Sequence, residues 1–178
     1  MDTLESRGVR LRAFSRADAS VYRSFVNDPE IARRIDRPGP VSASEHEAWF
    51  ESLVASESAA PFAVEEKSSG RFLGLVWLFG IDRRHGRAEV RIVLGEGRGR
   101  GAGVEALRLI SQHAFATLGL GKLWADVLAF NAPAARAFEK AGFVREGLLR
   151  EDRISVSGSE RVDVIRFGRL ASHPGREA

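Results

Sequence analysis

Six consecutive residues near the middle of the chain, Arg98-Gly99-Arg100-Gly101-Ala102-Gly103, have the make-up of an anion cradle. Glycines at 99, 101 and 103 let the backbone curl tightly and bring amide N–H groups to a ligand without Cβ obstruction. A strand-like run, 88–94, precedes them, and a helix-like run beginning near Val104 follows. The first N–H groups of a helix have no partner within it and lie at the positive end of its dipole. Phosphate binds there. Arg98 and Arg100 add charge suited to phosphate oxygens. The chemistry implied is the gripping of a phosphorylated small molecule by its pyrophosphate.

Three phosphate loops compete for this pattern. A P-loop ends in Gly-Lys-Ser/Thr, and the Ala102-Gly103-Val104 that follows Gly101 rules it out. Gly97 to Ala102 fits the dinucleotide spacing G-x-G-x-x-A, with Asp126 downstream. The segments ahead of it, however, read as antiparallel strands rather than strand–helix units. The third pattern, Arg/Gln-x-x-Gly-x-Gly/Ala, is met by Arg98, Gly101 and Gly103.

The elements that must position this loop follow from periodicity. Val9, Leu11 and Ala13 alternate with Arg10 and Arg12, giving a first strand. Ser15 with Asp18, and Ser42 with Glu45, have capping-box spacing and open two helices. Val21, Phe25 and Val26 would face inward on the first; His46, Trp49, Phe50, Leu53 and Val54 on the second. Pro29, Pro38, Gly39 and Pro40 break the stretch between them into turns. Residues 62–66 and 72–81 read as a hairpin about Lys67-Ser68-Ser69-Gly70, and Arg83 to Gly86 turns the chain into the strand at 88–94. After the loop, Val104, Leu107, Ile110, Ala114 and Leu118 recur at helical spacing until Gly119 and Gly121. A strand at 123–128 would then lie parallel to 88–94, across a crossover. A short helix follows from Asn131 to Ala141, then strands near 144–150 and 161–169.

Composition narrows the function classes. The chain has 178 residues, 44% of them hydrophobic, enough for one domain with a real core. The absence of cysteine excludes disulfides, thiolate nucleophiles and cysteine metal sites. The histidines do not pair at ligand spacing, so no metal is expected, and His85 and His113 read as exposed. No apolar run approaches the ~20 residues of a membrane span, and the N-terminus does not read as a signal peptide. A cytoplasmic protein with no membrane partner is the expectation. Net charge is +3, with 27 basic and 24 acidic residues and no basic block with interleaved aromatics, which argues against nucleic-acid binding.

The loop at 98–103 resembles the pyrophosphate loop of the GCN5-related N-acetyltransferases (GNAT), and two later segments extend the likeness. These are Leu128 to Asn131 with Ala135 to Phe143, and Arg145 to Glu151. Both are similar to the branch containing ribosomal-protein N-terminal, spermidine and amino-sugar acetyltransferases. The resemblance covers about residues 8–170, leaving short tails at 1–7 and 171–178. The fold class it implies is α/β, an α+β mixed sheet in a single GNAT-like domain. Its central twisted sheet would be mostly antiparallel, with one parallel splayed strand pair and helices on both faces.

The resemblance further implies acetyl-CoA as donor, with no metal. Its pantetheine would run along Ile92, Val93 and Leu94, and its pyrophosphate would sit on Arg98, Gly99, Arg100, Gly101, Ala102 and Gly103. Asn131 would contact the pantetheine arm, and the helix holding Phe138 and Lys140 would flank the coenzyme. Acetyl transfer to an amine of pKa ~10 needs a base, and Glu89 is the first candidate, His46 the second. A backbone N–H near Val93 is the candidate oxyanion donor. Where family members often carry a proton-donating tyrosine, this chain has Phe138; its one tyrosine is Tyr22.

The expected activity is acetyl transfer to a primary amine of a small molecule by direct attack in a ternary complex. Segment 45–50, with Glu45, Trp49 and Phe50 as acceptor contacts, favours an amino sugar or nucleotide-linked amino sugar. A protein N-terminus or a polyamine are the alternatives within the class. A non-catalytic acyl-CoA-binding module and a dinucleotide-dependent oxidoreductase are the alternatives outside it. A homodimer is left open.

Overall fold

The computed structural model describes residues 3–97, 99–156 and 158–172. Its centre is an eight-stranded sheet in the order β1-β2-β3-β4-β5-β6-β8-β7. The strands are β1 (Leu4–Glu5), β2 (Val9–Ala13), β3 (Ala60–Glu66), β4 (Phe72–Asp82), β5 (Arg87–Leu94), β6 (Lys122–Leu128), β7 (Val144–Ile154) and β8 (Arg161–Leu170). Every neighbouring pair is antiparallel except β5 and β6. Leu4 and Glu5, expected in a tail, pair with Leu11 and Arg10 and so add an edge strand.

Alternation along the central strands sends side chains into two cores. Val76, Leu78, Val90, Leu123, Ala125 and Val127 meet α4 (Ala102–Gln112) and α5 (Ala132–Lys140) on one face. Leu75, Trp77 and Val93 meet α1 (Arg16–Val26), α2 (Pro29–Arg34) and α3 (Ala43–Ala55) on the other. Helices thus cover both faces of a mixed sheet.

The helix starts follow the caps. Ser15 and Asp18 form one capping box, Ser42 and Glu45 a second. The stretch read as turns contains α2 instead. Pro29 stands in its first turn, where a missing N–H is harmless, and Asp28 accepts from the N–H groups of Glu30 and Ile31 at 2.9 and 3.1 Å.

Two apolar faces are narrower than expected. Val21 and Val54 are each 45% exposed, because the buried stripes run Ala19-Tyr22-Val26 and His46-Phe50-Leu53. His113 is half-buried rather than exposed, with its ring edge-on to Phe62 at 5.3 Å. It opens a π-helical turn, His113–Thr117, that continues α4.

Gly74 shows how tightly β4 and β5 meet. A Cβ there would strike the Val93 carbonyl and the Leu94 Cα, both backbone, so a side chain would have to displace β5 itself. The strand that borders the glycine loop is thereby held against its neighbour.

Candidate active site

Strands β5 and β6 pair through Arg87–Lys122, Ala88–Leu123 and Glu89–Trp124, and there the parallel ladder stops. From Val90 to Leu94 the β6 side of β5 has no strand partner, a condition that leaves backbone groups available to a ligand. A cavity of about 400 Å³ opens in this fork. Ile92, Val93 and Leu94 form one wall and Asn131, Phe138 and Lys140 another, with Gly99, Gly101 and Gly103 at its end.

The glycine loop has the form of a cradle. Gly99 and Gly101 hold φ at +81° and +88°, and an added Cβ at either would meet nothing within 4 Å. Gly101 is the N-cap of α4, and among the described residues no side chain caps the first amides of that helix. Both other long helices that start with serine are capped; α4 is left open to an external anion. Ala102 is buried behind the loop and Arg100 is exposed on it; Arg98 lies outside the described residues. An open helix start, a positive-φ loop and a fork of unpaired strand fit a ligand with a diphosphate and an extended amide-bearing arm. No group of histidine and acidic residues among those described could hold a metal ion.

A second cavity, about 580 Å³, adjoins the first and shares Arg34, Ile35, Ile92, Val93, Asn131, Ala134 and Phe138 with it. Glu89 lines it, because residues 89, 91 and 93 project to the α1–α3 face of the sheet. The Glu89 carboxylate is held by a fork from Arg91, Nε to Oε1 at 2.7 Å and Nη2 to Oε2 at 2.9 Å. Arg91 is fixed in turn over the Phe79 ring, 4.1 Å from its centroid. On β6 and β8, Arg166 makes the same fork to Asp126, at 2.5 and 2.9 Å, and lies over Trp124.

His46 also lines this cavity, but it is bound inward. Its Nε2 donates to the Ala19 carbonyl at 2.8 Å, which ties α3 to α1. Burial holds its pKa below the usual 6.5, and the charges of Arg23 and Arg37 push the same way against the Ala19 bond. The consequence for stability has a definite sign. As pH falls below 6.5 the unfolded chain binds a proton that the folded site resists, so stability drops toward the depressed folded value. The urea midpoint of the wild type is therefore expected to fall as pH drops below 6.5, with a flatter profile for His46→Gln in the same titration.

The proposed acceptor contacts separate. Trp49 lines the cavity and stacks on Tyr22 at 5.5 Å, and Glu45 stands at the rim, where Ser42 hydrogen bonds keep its carboxyl below the usual range. Phe50 does not line it. That ring is buried against Phe14 at 5.5 Å, because adjacent helical positions face about 100° apart and α3 turns this one to the sheet.

Phe138 stands where the two cavities meet, 3% exposed and packed on Phe143 and Phe167, with no proton to give. Among the described residues, the one hydroxyl in the lining of the larger cavity is that of Tyr22. Burial raises its pKa, so it stays protonated. Asn131 both caps α5, through the Ala134 N–H at 3.4 Å, and donates to the Arg34 carbonyl at 3.2 Å. That bond joins the end of α2 to the fork.

The lining also holds Arg34, Asp36, Arg37 and Arg91, none of them assigned a site role from sequence, and Asp126, which the sequence offered only to the dinucleotide pattern. An Asp28-Pro29 start to α2 was the available signal for the first three. The even spacing of Glu89 and Arg91 on one strand was the signal for the pair they make.

Residues 9–144 match the family model described as Acetyltransferase (GNAT) domain. The SPbeta prophage-derived uncharacterized N-acetyltransferase YokL of Bacillus subtilis is 32% identical over 160 residues, covering 89% of this chain and 87% of that one. The spermidine N(1)-acetyltransferase of Escherichia coli K12 is 28% identical over 148 residues, covering 83% and 78%. Among solved structures, the spermidine N-acetyltransferase of Vibrio cholerae in complex with CoA and spermine superposes with a TM-score of 0.82 at 26% identity. That likeness covers 92% of this chain and 96% of the other.

Proposed function

We propose that this chain, which belongs to the GNAT acetyltransferase family, N-acetylates the primary amine of a small molecule by direct attack within a ternary complex. It is an acetyltransferase, and its acetyl donor is acetyl-CoA. The observation that carries the reading is the adjoining pair of cavities, one ending at the open start of α4 and the other containing Glu89.

Acetyl-CoA supplies a thioester, whose thiol, with a pKa near the ~8.5 of a cysteine, leaves tolerably as the anion. The chain supplies position and proton traffic. The amides at 99–103 hold the diphosphate, and β5 from Ile92 to Leu94 orders the arm. Glu89, its geometry set by Arg91, receives the ammonium proton through solvent so that the amine nitrogen attacks as the free base. Burial raises the pKa of the Tyr22 phenol, which makes it a weaker acid than the coenzyme's thiol, so the sulfur departs as the anion. His46 is committed to Ala19 and acts as a structural support instead.

The amino-sugar reading of segment 45–50 has little left to rest on. Phe50 is in the core, and one face of Trp49 is taken by Tyr22.

Coenzyme release, followed with a thiol-reactive dye while single amines are supplied with acetyl-CoA, tests the activity. Turnover of at least one primary amine is expected. An enzyme that binds acetyl-CoA and releases no thiol with any amine would be a binding module.

A further inference from the structure

Charge in the acceptor cavity is unevenly spoken for. Among the described residues, Glu89 is held by Arg91, Asp126 by Arg166, and Glu45 by the amide and hydroxyl of Ser42. Arg34 pairs with Glu30, and Arg153 with Asp152. Three charged lining groups have no ion pair among those residues: Arg37, its neighbour Asp36, and Glu45, which has only its Ser42 hydrogen bonds. The Arg37 Nε is buried without a hydrogen-bond partner. Arg37 is half-buried and lines the cavity together with Tyr22, His46 and Trp49.

We propose that Arg37 is an oxyanion subsite, and that the acceptor is an amphoteric amine bearing a carboxylate or phosphate near its primary amino group. The inference rests on the acetyl-transfer reading and narrows its substrate. A buried Nε–H is costly to leave unpaired, and a planar carboxylate or phosphate can meet it together with a neighbouring Nη. Asp36 supplies a single counter-charge for the acceptor's ammonium. A polycation needs several unneutralised carboxylates along its length, and here Glu89 and Asp126 are taken by arginines, which leaves Asp36 and, at the rim, Glu45. Spermidine is accordingly expected to be a poor acceptor, in contrast with the relatives named for it.

Matched amine pairs test this through the same thiol-release assay: an α-amino acid against its decarboxylated amine, and glucosamine 6-phosphate against glucosamine, with spermidine alongside. The oxyanion-bearing member of at least one pair is expected to show kcat/KM about 10- to 100-fold above its neutral partner, the range of a charge-assisted hydrogen bond. The two pairs distinguish carboxylate from phosphate. In Arg37→Gln that preference should collapse toward unity, mainly through KM for the acceptor, and Arg37→Lys should restore part of it. The rise in Tm on adding acetyl-CoA checks that each variant is folded. Preference for spermidine or the neutral amines, or a preference that survives Arg37→Gln, overturns the subsite while leaving acetyl transfer intact. Absence of any turnover with acetyl-CoA bound overturns acetyl transfer and the subsite with it.

Discussion

Gly101→Val is expected to weaken acetyl-CoA binding at least about a hundredfold, measured by titration calorimetry. Gly101 holds φ at +88° as the N-cap of α4, a conformation that a β-branched residue adopts only under strain. Relaxing that strain re-aims the amides that follow. Each charge-assisted hydrogen bond lost costs about 1.5–3 kcal/mol, so losing two accounts for the effect. Gly158→Val is the control. It carries comparable strain, with φ at +74°, in a turn that lines neither cavity, and should leave coenzyme affinity unchanged. Equal affinity in the Gly101 variant and the wild type would remove the cradle from the account.

Glu89→Gln is expected to lower kcat by about 10²-fold with little change in the Kd for acetyl-CoA. The amide keeps the shape and can still accept from Arg91, but it cannot take up a proton. Stopped turnover with retained coenzyme binding assigns the base. A kcat within twofold of wild type would mean that the acceptor loses its proton to solvent before it binds, leaving Glu89 as an anchor for Arg91.

Much of this was visible in the residues alone, for reasons that differ by element. Capping boxes at Ser15 and Ser42 are local, and local chemistry survives folding. The glycine loop was legible because strand, loop and helix follow one another without a break. The acceptor side was not. Whether Trp49 or Phe50 meets the cavity depends on how α3 rolls against the sheet, which packing decides and periodicity does not. Arg37 lies in a stretch full of proline and glycine, and only the docking of α2 beside Asn131 brings it to the pocket. Arg87 and Arg91 both stand two positions from Glu89 on the same face of β5, so spacing alone does not choose its partner; Arg87 lies toward Asp82 and Arg91 takes Glu89.

The short β5–β6 ladder has a bearing on endurance as well as on catalysis. Strands β1–β5 and β6–β8 amount to two half-sheets joined by three rungs. A ligand wedged where the rungs end has both halves as its clamp, so pulling them apart must first eject it. Mass action then makes the coenzyme a detachable staple: at a hundred times its Kd it adds about 2.7 kcal/mol against unfolding. Depletion of the donor would thus idle the enzyme and soften its seam in the same stroke.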